Sequence, residues 1–181
     1  MSNGLIIVNE FQGIIQKVDD ALFSSLDSHI NFQTGTASQV IKELSIADQA
    51  VTPELKSKYP LFMIQQPFPE VMGGDYYCTI KIPKIAIAYL SNATDTVPTR
   101  YNSSFIPKLY PIYYEFLKQV ARWPTVVLHN QDYLPHTKLD LPGDPPPSQK
   151  DLKTGFADYL DTIIIQNLEL TFQINTNCKR N

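Results

Sequence analysis

The residues best equipped for chemistry in this chain are three histidines, two cysteines and a few close acidic pairs. His129, Asp132 and His136 lie within eight residues, a donor set able to hold a divalent metal if a helix or hairpin oriented it. Leu134-Pro135 intervenes, and ordinary polar loop positions account for the same spacing. His29 falls at the end of an apolar-periodic run, where a histidine meets the last carbonyls of a helix. There is no Gly-x-Ser-x-Gly elbow, and neither Cys78 nor Cys178 has a sequence-local histidine to activate it. Gln33 to Ser38 has the small residues of a phosphate loop without its Gly-Lys-Ser/Thr ending. Asp19-Asp20 and Asp158 with Asp161 read as solvated faces or loop ends. The expectation is a protein with no catalytic residues, no cofactor and no metal.

The elements that must position these groups follow from hydrophobic periodicity. Leu5, Val8, Phe11, Ile15, Val18, Leu22 and Leu26 recur at three- and four-residue steps, which predicts one amphipathic helix over residues 3 to 30. Ser2 or Asn3 can cap it, with Glu10, Asp19 and Asp20 on the wet face. Asn31 to Gly35 reads as a turn, and Ala37 to Ile46 as either a strand or a short helix. Strand signals then come in series: Leu61 to Ile64, Tyr76 to Ile82, and Ile85 to Tyr89, with turn chemistry at Met72 to Asp75. Pro83 puts an edge, a bulge or a break inside that run. A second helix carries Leu109, Ile112, Tyr113, Phe116, Leu117 and Val120, capped by Ser103 or Ser104, with Pro111 implying a later start or a kink. Val126 to Leu128 suggests a short strand. Asp161 to Asn175 is the strongest strand signal, and its phase change at Gln166-Asn167 reads as a β-bulge. Residues 129 to 158 have little apolar periodicity and contain Pro135, Pro142 and Pro145 to Pro147, which predicts an extended arm or hairpin with Leu139 and Leu141 near one limb. The fold expected is a single α+β domain over residues 1 to 181. It has a mostly antiparallel sheet of four to five strands, covered by the long N-terminal helix and a central helix.

Composition narrows the function. The net charge of −3 and pI near 5.5 argue against a basic nucleic-acid-binding surface. Charged residues are 18% of the chain, against roughly 25% in ordinary domains, and the difference is made up by 22 Asn and Gln and by 10 Tyr. Such a surface is polar yet readily desolvated, which suits burial against protein partners. Fourteen Pro against seven Gly make the connections stiff; stiff excursions dock with less loss of entropy, although such loops also simply restrict the unfolded chain. Cys78 is expected in the core and Cys178 as an unpaired thiol in the polar tail. No secretory signal and no membrane-spanning run is expected, so assembly in a cytoplasm is the default.

The order of elements resembles the tail-terminator and neck-ring proteins of tailed bacteriophages. The resemblance covers most of residues 4 to 175. It is carried by Tyr59-Pro60-Leu61-Phe62-Met63-Ile64 entering the sheet, by Thr99-Arg100 before the helix of Leu109 to Leu117, and by the closing strand from Asp161 to Ile174. The amide- and tyrosine-rich composition is similar to that of phages of Bacteroidetes hosts, including the crAss-like group. The proline-rich arm exceeds the compact family pattern. The resemblance implies a non-enzymatic structural subunit of a hexameric or dodecameric ring in a virion neck or tail. Such a ring meets portal, neck and tail proteins, and DNA passes through it without sequence-specific contact. Self-contacts are then expected at the arm around Tyr133, Leu134, Leu139 and Leu141, at the final strand near Phe172, and at Arg100 as an intersubunit ion pair, for which a solvated loop arginine is the alternative. Two rival readings remain: a metal-dependent hydrolase using His129, Asp132 and His136, and a cytoplasmic adaptor that binds peptides by adding a strand to its sheet.

Overall fold

The computed structural model describes residues 3–36, 38–40, 58–73, 77–92, 94–128, 134–144 and 159–173. Helix α1 (Asn3–Leu26) buries Ile7, Phe11, Ile14, Ile15, Val18 and Leu26 on one face. It stops four residues earlier than the periodicity suggests, because Asp27 takes a left-handed φ of 56°. Lys108 Nζ then reaches the freed carbonyls of Ser25 and Leu26, the role expected of His29. Asp19, expected on the wet face, is buried. Its Oδ1 accepts from the Ile30 N–H at 2.8 Å and its Oδ2 lies 2.7 Å from His29 Nδ1. That carboxylate fixes the exit from α1 into the first strand, so Asn31 to Gly35 is β1 and not a turn.

The fold is α+β, built on a curled mixed sheet with seven strands among the described residues rather than four to five. The strands are β1 (Asn31–Gly35), β2 (Leu61–Gln65), β3 (Glu70–Gly73), β4 (Tyr77–Ser91), β5 (Val126–Val127), β6 (Thr137–Asp144) and β7 (Tyr159–Gln173). β1 runs parallel to β2; the other pairings are antiparallel. β4 and β7 pair along their whole length and form the spine. One half of this spine is flanked by β3 and β5, the other by β2 with β1 on one side and β6 on the other.

The spine turns over in its middle. Cys78, Ile80 and Ile82 are buried, and then Ile85 and Ile87; opposite them are Phe172, Leu170 and Leu168, and then Ile165 and Ile163. Both strands change phase at the same place, so the register holds from Tyr77↔Gln173 to Ser91↔Tyr159 and no bulge separates them, contrary to the sequence reading. Pro83 and Asn167 fall opposite each other in the gap of the ladder, and Asn167 takes the change of direction at φ 56°. A proline without an N–H and an asparagine that tolerates left-handed backbone make a paired kink.

The central helix begins earlier than its stripe suggests. α2 (Val97–Arg100) is capped by Thr96, whose side chain accepts from the Thr99 N–H. It runs through a π-helical stretch, Tyr101–Leu109, into α3 (Tyr110–Arg122). The two prolines explain the wide winding. Pro107 sits inside the π segment and Pro111 in the first turn of α3, and a wider turn relieves the clash of each ring with the preceding carbonyl. α1 and α3 lie on one face of the sheet and share its core with Phe62, Ile64, Ile85, Ile87, Ile163 and Ile165. On the opposite face Val40 packs with Leu61 and Ala88. Among the described residues, no helix is long and apolar enough to cross a membrane.

The kink has a clear signature in mutants. Asn167→Val should lose about 1–2 kcal/mol in urea denaturation, because a β-branched side chain resists left-handed backbone, while Asn167→Gly should lose little.

Candidate functional site

The spine leaves two long-chain edges on opposite sides of the sheet, β1 and β6, and separate devices hold each in place. β1 is set by Asp19, as above, and by the pairing of Asn31 N–H with the Pro60 carbonyl at 2.8 Å and of Gln66 N–H with the Gly35 carbonyl at 2.9 Å. Asn31 and Gly35 therefore turn their backbone groups toward β2. By alternation, Phe32 and Thr34 turn theirs away from the sheet, where they meet no partner among the described residues. The strand is Asn-Phe-Gln-Thr-Gly, with no charge, no proline and no bulge to blunt it. Thr34 Oγ1 is also buried without a hydrogen-bond partner among the described residues.

A buried ion pair clasps the far end of β6. Arg100, expected between subunits, is only 5% exposed within its own chain. Its Nη1 donates to Asp161 Oδ1 at 3.2 Å and to Ser91 Oγ, its Nε to the Asp95 carbonyl at 3.0 Å, and its Nη2 to the Asn92 carbonyl. Asp161 is fully buried on β7, and the same Oδ1 accepts from the Gly143 N–H at 2.8 Å. Gly143 is left-handed at φ 63°, and a Cβ there would stand 2.5 Å from the guanidinium carbon of Arg100. The glycine is required both by the turn and by the arginine beneath it. Phe172 is likewise buried in the core, edge-on to Phe11 at 5.9 Å between centroids, and so takes no part in an outer surface.

A tyrosine cluster holds the near end of β6 against the helices. Tyr110 donates to Asp140 Oδ2 at 2.8 Å, and Lys138 Nζ donates to Asp140 Oδ1 at 2.5 Å. The same ammonium sits 4.5 Å from the Tyr110 ring centroid and 5.5 Å from that of Tyr113. His136 Nδ1 lies 2.6 Å from the Leu134 carbonyl, which only accepts, so Nδ1 carries the proton and Nε2 accepts from the Tyr113 hydroxyl at 2.7 Å. Both ring nitrogens are thus engaged, and a metal at His136 would have to displace that hydroxyl. His129 and Asp132 lie outside the described residues, as do Tyr133 and Cys178. Burial, and then the hydrogen bond and charge of Asp140, push the Tyr110 hydroxyl well above the usual tyrosine range. Burial chiefly, with Tyr114 and Asp140, raises Tyr113.

Of the residues expected at an interface, the structure brings Leu134, Leu139 and Leu141 to this edge. Leu134 is half-buried against the core, and Leu141 is half-buried on β6. Leu139 is 41% exposed. It ends a row across four strands, Met63, Ala86, Ile164 and Leu139, on the face away from α1 and α3. The first limb of the expected arm is therefore a sheet strand. Lys138 and Asp140, with side chains on the helix face, present their own N–H and C=O groups to the outside, since strand chirality ties face to side. The sequence reading missed Asp161 as a buried carboxylate, though its spacing with Ile163 and Ile165 puts it on their inward face. It also missed β1, whose polar side chains hide its pairing. No protein-family model, curated protein or solved structure matches the chain.

Removing one partner of the clasp should be severe. Asp161→Ala should cost about 3–5 kcal/mol in denaturation, since Arg100 is left buried and uncompensated, while Asp161→Asn, which keeps an acceptor, should cost less. The tyrosines give a pH signature of opposite character. A raised folded pKa means the unfolded chain ionises first, so stability should fall as pH climbs past about 10, and Tyr110→Phe should flatten that decline.

Proposed function

We propose that this chain is a non-enzymatic structural subunit that joins copies of itself head-to-tail into a ring of a phage neck or tail. One observation carries the reading: the sheet is held open at β1 on one side and at β6 on the other, and no described residue partners either outer edge. A surface open at both sides is completed by one neighbour on each side. Contacts of that heterologous kind close into a ring when the rotation allows. Both edges are braced by buried interactions, so they are pre-organised for docking and lose little entropy in it.

The other features fit a ring between capsid and tail. The chain is acidic, at net charge −3, so a channel lined by its copies repels phosphate and lets DNA slide without sticking. Portal, neck and tail proteins are the partners this reading names, and the virion, assembled in the host cytoplasm, is its location. The uncharged β1 edge also suits an adaptor that captures an extended peptide as an added strand. The two readings separate by stoichiometry: a peptide binds the monomer, whereas a ring needs copies.

Light scattering and mass photometry of the full chain at rising concentration in near-physiological salt, alone and with neighbouring virion proteins, test the proposal. Discrete oligomers of six or twelve copies, annular in negative stain, are expected. Monomers under every condition, partners included, would overturn it.

A further inference from the structure

The ring reading leaves open which surfaces meet; the geometry points to one joint. We infer that β6 of one copy pairs antiparallel with β1 of the next, with Thr137 to Leu141 opposite Asn31 to Gly35 and Leu139 of one copy facing Gln33 of the next. This rests on the ring-subunit reading and goes beyond it by naming the partner strands and their register.

Four observations converge on a second copy as the occupant of both edges. The usable lengths match: β1 offers five residues, and β6 offers five before Pro142, Gly143 and the register shift that follows Leu141. The directions match as well. β1 runs with β7 and β6 runs against it, so extending the sheet from β6 to a neighbouring β1 in the same orientation gives an antiparallel pair.

Faces and hydrogen-bonding sides also agree in this register. Lys138 and Asp140 point to the helix face and turn their backbone groups outward; Phe32 and Thr34 do the same from the other edge. They fall opposite one another as the hydrogen-bonded pairs, Lys138 with Thr34 and Asp140 with Phe32. A one-residue slip would set Leu139 opposite Phe32 or Thr34, whose side chains lie on the helix face, and would break the match of hydrogen-bonding sides. Finally, charge does not oppose the joint. β1 has none, and the only two charges on the five facing residues of β6, Lys138 and Asp140, already neutralise each other within the chain. The joint also covers Leu139, the exposed end of a row whose Ala86 and Ile164 are buried, and brings chain to the edge where Thr34 Oγ1 lacks a partner among the described residues.

Disulfide trapping reads the register directly. Gln33 and Leu139 would form the non-hydrogen-bonded pair, with Cβ atoms about 4.5–5.5 Å apart and close enough to bridge with small shifts. The full chain carrying Gln33→Cys and Leu139→Cys in a Cys178→Ser background is oxidised at a concentration where oligomers are present. Non-reducing gels should show a ladder of linked dimers, trimers and higher species, and each single-cysteine variant should stop at dimers or below. In parallel, Thr34→Pro removes an N–H that faces away from β2. It should abolish oligomers while leaving the melting midpoint of the monomer within a few degrees of the parent. If oligomers form but the double variant links no further than the single ones, this joint is wrong and the ring reading survives. If Thr34→Pro folds and assembles like the parent, the joint is also wrong. If no oligomer forms at any concentration or with partners, both readings fall.

Discussion

A strand edge is a row of backbone donors and acceptors that must be bonded by chain or by water, and this molecule is organised around two such rows. The β4–β7 spine turns over at Pro83 and Asn167 without losing register, which divides one long pair into two half-sheets. One half carries the short strands β3 and β5; the other carries the five-residue edges, β1 through β2 on one side and β6 on the other. α1 and α3 lie on the same face of the sheet and cover its core.

The interactions that are costly to bury are spent on fixing those edges. Arg100 and Asp161 are desolvated together, so much of their attraction goes to offsetting the cost of leaving water. Their common product is the position of Gly143, where β6 stops being a regular strand. Asp19 does the same for the start of β1 through the Ile30 N–H. Tyr110, Tyr113, Lys138, Asp140 and His136 form a third brace whose parts come from α3, β6 and the residue just before β6. Rigid edges are what an assembly by strand pairing needs, since a floppy edge would have to be ordered during docking.

Much of this was legible in the sequence, and the failures have physical causes. Apolar periodicity found α1, β2, β4, the central helix and β7, because burial of one face imposes the period. The ring resemblance placed Phe172 and Arg100 at an interface, because an order of elements does not say which face is inward at a strand's end, nor that an arginine has a carboxylate waiting on a strand 61 residues later. The bulge expected at Gln166-Asn167 followed correctly from a phase change in one strand. Only the partner strand reveals that Pro83 makes the same change. β1 went unseen because Asn, Gln, Thr and Gly carry turn signals, and a parallel edge strand five residues long has too little apolar pattern to outweigh them. The metal set at His129, Asp132 and His136 was a matter of spacing; tautomer and hydrogen bonding at His136 belong to the folded chain.

Amide hydrogen exchange as a function of protein concentration tests most directly whether copies complete the sheet. The account predicts that the amides of Phe32, Thr34, Lys138 and Asp140 exchange freely in dilute protein and gain protection together as concentration rises, while those of Ile85 and Ile163 in the spine stay protected throughout. Exchange at those four amides that is the same at every concentration, in protein shown to be oligomeric, would contradict it.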